Sequence, residues 1–469
     1  MWRVVPGLLC ALSMLGGVAM ANEDSEAAFE VRLGERQLFL DDVGIASIEN
    51  LARTMHQPVK KGAVIRNREP GETIQTRTAP VWDPQQGVFK LWLLSTGDSV
   101  RVSTDGLHWV SGGKQNMEVW MAVYDPTDPD PGRRYKAALL NKGFAVSPDG
   151  LNWTQLDVRP VPSSDEGNFS FSEKEGLFIL TVKRGGPYGR CVYLATSRDF
   201  ENWTDHGLIF HADELDQELG RENIKARLAN PHLLQPFYNN PDAYNVDTYN
   251  MGVFRYESLY IGMPAMYHAT GLIPNYPNTD GFHLVQLACS RDLRTWHRLG
   301  DRRPFIGPSP VGAGAYDLTQ IIGPSNAVVR GDELWFYYTG IKYRTPWTYV
   351  GEYPHGEYVP VPGLDRDQSA ICLAVLRRDG FISLDAGQQA GSVVTKPFRL
   401  SGDNLFVNVN ALQGELRGEV LGASGEVLAT SAPVRGDLPR AEITWERGEV
   451  AALTVSYTHL RAHETVLDL

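Results

Sequence analysis

The chain has 469 residues, of which 42% are hydrophobic and 21% charged, with a formal charge of −12. That is enough chain to bury one large domain and a small second one, and its acidity argues against nucleic acid as a partner, because phosphate binding needs a basic surface. No Walker loop, dinucleotide fingerprint or paired-cysteine metal site is present, so no cofactor is expected, and a structural Ca²⁺ is left open.

Arg3, an apolar run from Val4 to Val18 and the small-residue site Ala19 to Ala21 have the form of a secretory signal, residues 1–21, cleaved after Ala21. The run is too short to span a membrane. The mature protein is therefore expected to be periplasmic or secreted.

From residue 29 to 390 one pattern recurs: a short apolar strand, a polar hairpin turn, an aromatic-rich strand, and a third strand ending in an Asp turn. The turns are Ser103 to Trp109, Ser147 to Trp153, Ser197 to Trp203 and Ser290 to Trp296, with a degenerate fifth, Arg378 to Phe381, that lacks the Trp. Five hairpins interleave with them, opening at Val81, Val123, Phe169, Gly252 and Ala327. A period of roughly 40 to 50 residues with about four strands each predicts a β-propeller, here an all-β, five-bladed one. Two gaps between turns are nearly twice that period. They are read as insertions: a surface helix around Asp213 to Ala229, and an ordered loop from Tyr343 to Pro362 rich in Tyr, Pro, Gly and Trp.

Alternating apolar residues broken by Gly and Asp predict a small C-terminal β-sandwich over 391–455, incomplete at its end. Residues 456–469 break that pattern and resemble translated sequencing-adapter read-through, a non-native tail. His459 and His463 within it have metal-like spacing but no third ligand. Cys191, Cys289 and Cys372 fall in apolar strands and are read as buried thiols rather than a disulfide framework. The turn residues Asp105, Asp149, Asp199 and Asp292 are assigned to the scaffold, as acceptors of backbone N–H groups.

In a propeller the inner strand of each blade faces the axis, so a catalytic acid should lie just before each hairpin. Those places hold Glu72, Glu118, Asp165 with Glu166, Asp247 and Asp317. Convergent carboxylates suit cleavage of a glycosidic bond, one protonated as the acid and one ionised as base or nucleophile. Near the same strands, Trp120, Tyr249, Tyr267 and Trp347 are candidates to stack on a sugar, and His56, Arg77, Asn168 and His268 to bind hydroxyls. Each is equally compatible with interior packing.

Leu38 to Asp42, Arg53 to Lys60, the Asp turns, Arg378 to Phe381 and Thr395 to Pro397 together resemble exported bacterial proteins related to glycoside hydrolase families 32 and 43. The resemblance covers residues 29–455 and implies an axial pocket with three acids. The sequence motifs of the family 32 invertases are absent, so the choice rests on blade position: Asp165, Asp247 and Asp317, with Glu166, Glu72 and Asp42 in reserve. The expected function is an exported glycoside hydrolase acting on a poly- or oligosaccharide. The alternatives are a non-catalytic carbohydrate-binding propeller and, behind it, a sialidase or a glycoside phosphorylase. A phosphorylase needs a basic pocket, for which Arg77, Arg255 and Lys342 are available.

Overall fold

A computed structural model describes residues 31–67, 71, 73–95, 98–398, 404–422, 424–447 and 459–464; the signal segment lies outside them, as does Glu72. The chain is all-β, with a single α-helix among the described residues.

Five antiparallel sheets of four or five strands follow one another along the chain. The first runs from Val81–Asp83 to Val110–Ser111, the second from Ala122–Tyr124 to Thr154–Gln155, and the third from Gly167–Ser172 to Thr204–Phe210. The fourth opens with Asn245–Tyr256 and ends with His297–Arg298, and the fifth opens with Gln320–Ile322. The fifth does not finish with its own sequence. Its outer strand is Val59–Arg66, which pairs antiparallel with Ser369–Arg377 and so joins the start of the described chain to the last sheet. Opening strands of the first four sheets pack side by side in chain order. The link into the first sheet meets the fifth through Thr76 N–H on Thr339 Oγ1 (2.9 Å) and Ile74 N–H on Ser369 Oγ (2.9 Å).

The Asp turns explain the repeat physically. In each of the four regular turns the Asp accepts the backbone N–H groups two and three residues on, for example Leu151 and Asn152 on Asp149 Oδ1 at 2.8 Å each. The turn so held is docked by the preceding sheet. Trp92 Nε1 donates to Gly150 O, Phe144 stacks on Trp203, and Trp296 packs among third-sheet side chains. Tyr337 of the fifth sheet donates to Gly106 O. The fifth turn keeps the function without the Trp, because the Tyr256 hydroxyl donates to Asp379 Oδ1 (2.6 Å) and its ring meets Phe381.

The helix α1, Glu214–Ala229, forms as expected and begins at a capping box between Asp213 and Asp216. The second insertion, expected as an ordered loop, folds as a hairpin, Trp347–Val350 against Glu357–Pro360, around a cluster of Tyr276, Trp347, Tyr349, Tyr353 and Tyr358. Five aromatic rings supply a local core that no sequence period announces.

The C-terminal region is one seven-stranded sheet that also takes in Ile45–Glu49 from the beginning of the chain. Its longest strand, Phe406–Leu421, pairs through its first part with Val434–Glu442 and through its end with Val427–Ser431. Residues His459–Glu464, read from sequence as a break in the strand pattern, are a strand between Gly391–Thr395 and Phe406–Leu421. The three described cysteines are free and buried, and burial pushes their thiols above the usual range.

Candidate active site

Three of the predicted acids meet where the third and fourth sheets open toward the first. Glu166 stands immediately before Gly167–Ser172, and Arg77, from the link into the first sheet, grips it with Nε on Oε2 (2.5 Å) and Nη2 on Oε1 (2.7 Å). Such a two-point clamp fixes orientation as well as charge. Tyr249, in the opening strand of the fourth sheet, donates its hydroxyl to the same Oε1 at 3.0 Å. Both Arg77 and Glu166 are buried.

Asp165 projects to solvent, 67% exposed, and holds Lys183 Nζ at 2.5 Å. Lys183 in turn lies 4.4 Å from the Tyr249 ring centroid. Asp247 is buried at 4% exposure. Its Oδ2 accepts Arg190 Nη1 (2.8 Å) and the Arg190 backbone N–H (3.3 Å), while its Oδ1 has no partner among the described residues. Burial raises the Asp247 carboxyl above the ordinary carboxylate range, against the opposing pull of Arg190.

The hairpin Leu177–Gly186 to Gly189–Ser197 explains how Arg190 gets there. Gly189 sits at φ +116°, and a Cβ on it would stand 2.8 Å from Asp247 Oδ2. Only a residue without a side chain lets the hairpin tip close over the carboxylate.

Around these acids stand Tyr249 and Tyr267, with His283 against both at ring distances of 4.7 and 5.3 Å. Arg190 and Arg344 lie over the Tyr267 ring at 5.1 and 5.5 Å. Asn168 donates Nδ2 to Ser325 Oγ (2.7 Å), which donates to Arg77 O (2.6 Å). Unpartnered buried polar atoms gather here: Asp247 Oδ1, Asn168 Oδ1, both amide atoms of Asn250, and both ring nitrogens of His283. Buried polar atoms are usually paired with protein, water or ligand, so these leave hydrogen-bonding capacity here that the described side chains do not meet.

The remaining predicted residues are elsewhere. Asp317 pairs with Lys60 Nζ (2.7 Å) and accepts the Tyr338 hydroxyl (2.8 Å), a contact that ties the outer strand Val59–Arg66 to the fifth sheet. Asp42 is exposed and pairs with Arg53. Glu118 is a surface partner of Lys142. His56 bonds Ser383 at 2.7 Å beside the C-terminal sheet. His268 lies under α1, stacked on Phe282 and facing Asn223, and burial lowers it to about 4. Trp120 packs on the core shared by the second and third sheets. Trp347 belongs to the aromatic hairpin. Of the proposed phosphate-pocket cations, Arg255 pairs with Glu35 and Lys342 with Asp365, away from the acids.

Sequence reasoning missed Lys183, Arg190, His283 and Arg344. A signal was available for two of them: Lys183 to Arg190 is a basic stretch around three glycines, the composition of a hairpin tip that can approach another backbone closely. No described cluster of three His, Cys, Asp or Glu side chains has the arrangement of a metal site. A cavity of about 470 Å³ between the segment from Val31 and the C-terminal sheet includes Leu38, Phe39, Leu384 and Phe406 in its walls and none of the converging acids.

No family model matches the chain. A 1,2-beta-oligomannan phosphorylase of Thermoanaerobacter sp. (strain X514) is 25% identical over 123 residues, which is 24% of this chain and 42% of that protein. The chain thus spans about two fifths of the curated relative it matches. Glycoside hydrolases of families 32 and 43 are among the similar solved structures. A Bombyx mori GH32 beta-fructofuranosidase shares 11% identity at a TM-score of 0.33, covering 86% of this chain and 92% of that one. A GH43_12 protein retrieved from a capybara gut metagenome shares 10% at 0.31, covering 91% and 100%.

Proposed function

We propose that the five sheets are the blades of a five-bladed propeller with the seven-stranded sheet as its C-terminal sandwich, and that the exported protein hydrolyses glycosidic bonds at the site where the third and fourth blades open. The observation that carries this reading is a pair of buried carboxyl groups in opposed environments. Asp247 is pushed toward its protonated form by burial and keeps Oδ1 unpartnered, whereas Glu166 is clamped by Arg77 and Tyr249. Two acids held by such different neighbours suit different roles.

In this mechanism Asp247 Oδ1 donates its proton to the departing glycosidic oxygen. Glu166 faces the positive charge that develops at the anomeric carbon and, because Arg77 fixes it, needs no rearrangement to do so. Asp165, exposed and steadied by Lys183, takes the proton of the attacking water. Tyr249 and Tyr267 orient the sugar ring.

The test is sugar release from a panel of oligosaccharides by the mature chain and by Asp247→Asn and Glu166→Gln. Loss of release in both variants with retained glycan binding supports hydrolysis. A folded protein that binds glycans and releases nothing from any of them is a carbohydrate-binding propeller instead, the reading in which the same tyrosines hold sugar without chemistry.

A further inference from the structure

The hydrolytic mechanism uses Asp247, Glu166 and Asp165 but leaves two groups beside them unexplained. Arg344 follows the fifth sheet's strand Glu333–Ile341 and reaches back to Tyr267. It forms no ion pair among the described residues, and its Nε is buried without a partner. The carboxylate that acts on it, Asp280, is already occupied: Oδ2 accepts the N–H groups of Phe237 (2.7 Å) and Tyr238 (3.2 Å), and Oδ1 the Thr345 hydroxyl (3.0 Å). His283 is fully buried between Tyr249 and Tyr267, and neither ring nitrogen has a partner. Burial, with Arg344 and Arg190 next in effect, keeps that imidazole neutral well below its usual range. It therefore presents one donor without adding charge.

We propose that Arg344, Arg190 and His283 form an oxyanion-binding subsite beside the acids, which accepts a carboxylate, sulfate or phosphate group. Arg344 bonds Tyr267 but meets no carboxylate and keeps its Nε unpartnered, and such a donor, like an unpartnered ring held between two tyrosines, is costly in a protein interior unless an acceptor completes it. Guanidinium groups match oxyanions because they present parallel N–H donors. Arg77, Lys183 and Arg190 are each matched by a carboxylate of Glu166, Asp165 or Asp247, so Arg344 is the group that adds positive charge here for an anion to meet.

The anion has two sources, and they lead to different chemistry. As a carboxylate or sulfate on the glycan, it makes the substrate an acidic saccharide and fixes its register against Asp247. As free inorganic phosphate, it replaces water. A phosphate oxygen then forms the bond to the anomeric carbon while the glycosidic C–O bond breaks and the Asp247 proton passes to the leaving oxygen. This inference rests on the reading of the site as a glycosidic-bond enzyme, yet its test does not require turnover.

The mature protein is titrated with sodium phosphate, sodium sulfate and sodium glucuronate at constant ionic strength, with chloride as reference, and binding is read by calorimetry. Saturable binding of at least one oxyanion that weakens tenfold or more in Arg344→Gln, and not in Arg255→Gln, supports the subsite. Selenate soaked into crystals of the unaltered protein gives an anomalous peak between Arg190, Arg344 and His283, a readout that does not depend on how the variant folds. No binding above chloride together with no selenate peak overturns the proposal, as does binding unchanged in a folded Arg344→Gln. Release of a sugar 1-phosphate on adding phosphate identifies the free anion as the source, while preferential binding of uronate or sulfated oligosaccharides without phosphate identifies the glycan. Anion binding without sugar release sinks the hydrolytic reading alone, and sugar release without anion binding sinks the subsite alone.

Discussion

Asp247 owes its chemistry to two residues far from it in sequence and to its burial. Arg190 takes one oxygen, Gly189 leaves room for the backbone to close, and surrounding strands remove water. Replacing it by Asn keeps the shape and removes the proton; turnover is expected to fall by about 10²–10⁴, with glycan binding measured by calorimetry retained. The basic limb of kcat/KM is expected to vanish with it, because activity falls as pH rises through the raised value of this carboxyl. Asp149 shows the opposite case. Burial favours its neutral form, but bonds from the Asn152 and Leu151 N–H groups outweigh that and bring it down to about 2. A depressed folded value means the stabilisation is present above the unfolded value of about 3.9 and is lost as pH falls through about 2. Asp149→Ala is therefore expected to cost about 1–2 kcal/mol in urea unfolding at pH 7, a difference that shrinks as both proteins are taken toward pH 2. Asp165, Glu166 and Asp247 were legible in the sequence because blade position places them before a hairpin. His283 and Arg344 were not, since a lone His in a strand and a lone Arg after one carry no local pattern.

Among the elements, the hairpin Leu177–Gly186 to Gly189–Ser197 has the most to do with function. Both strands are long and regular, so the tip is held out over the fourth sheet, and Gly189 is the one position where a side chain collides with Asp247. Gly189→Ala is expected to lower turnover at least tenfold while costing only about 1–2 kcal/mol of stability, read together by kinetics and thermal melts. Helix α1 was announced by its charge content and spacing, a local signal, and it formed where that placed it. The hairpin Trp347–Val350 to Glu357–Pro360 was hidden, because its stability comes from rings such as Tyr276 in another segment.

Across the whole molecule the controlling feature is closure. The strand Val59–Arg66 completes the fifth sheet, and Lys60 reaches Gly307 O, Ser309 and Asp317 from it. Asp317 is buried, so removing Lys60 strands a carboxylate. Lys60→Met is expected to destabilise by about 2–4 kcal/mol in chemical denaturation. The double variant Lys60→Met, Asp317→Asn is expected to recover part of that loss. Turnover per folded molecule is expected to stay unchanged in Lys60→Met, because this pair belongs to the closure and not to the acids around Asp247.

The sequence by itself determined the repeat: Asp turns, hairpins, the helix cap and the positions of acids at strand openings all follow from short-range chemistry, in which a residue is read with neighbours a few places away. Tertiary structure decided which acids meet. Asp247 lies in the opening strand of its sheet and Asp317 just before the opening strand of the next, yet a strand from the start of the chain supplies Lys60 to Asp317, and a hairpin tip supplies Arg190 to Asp247. Those partners are fixed by contacts between segments far apart in the chain, a long-range condition that no local spacing records.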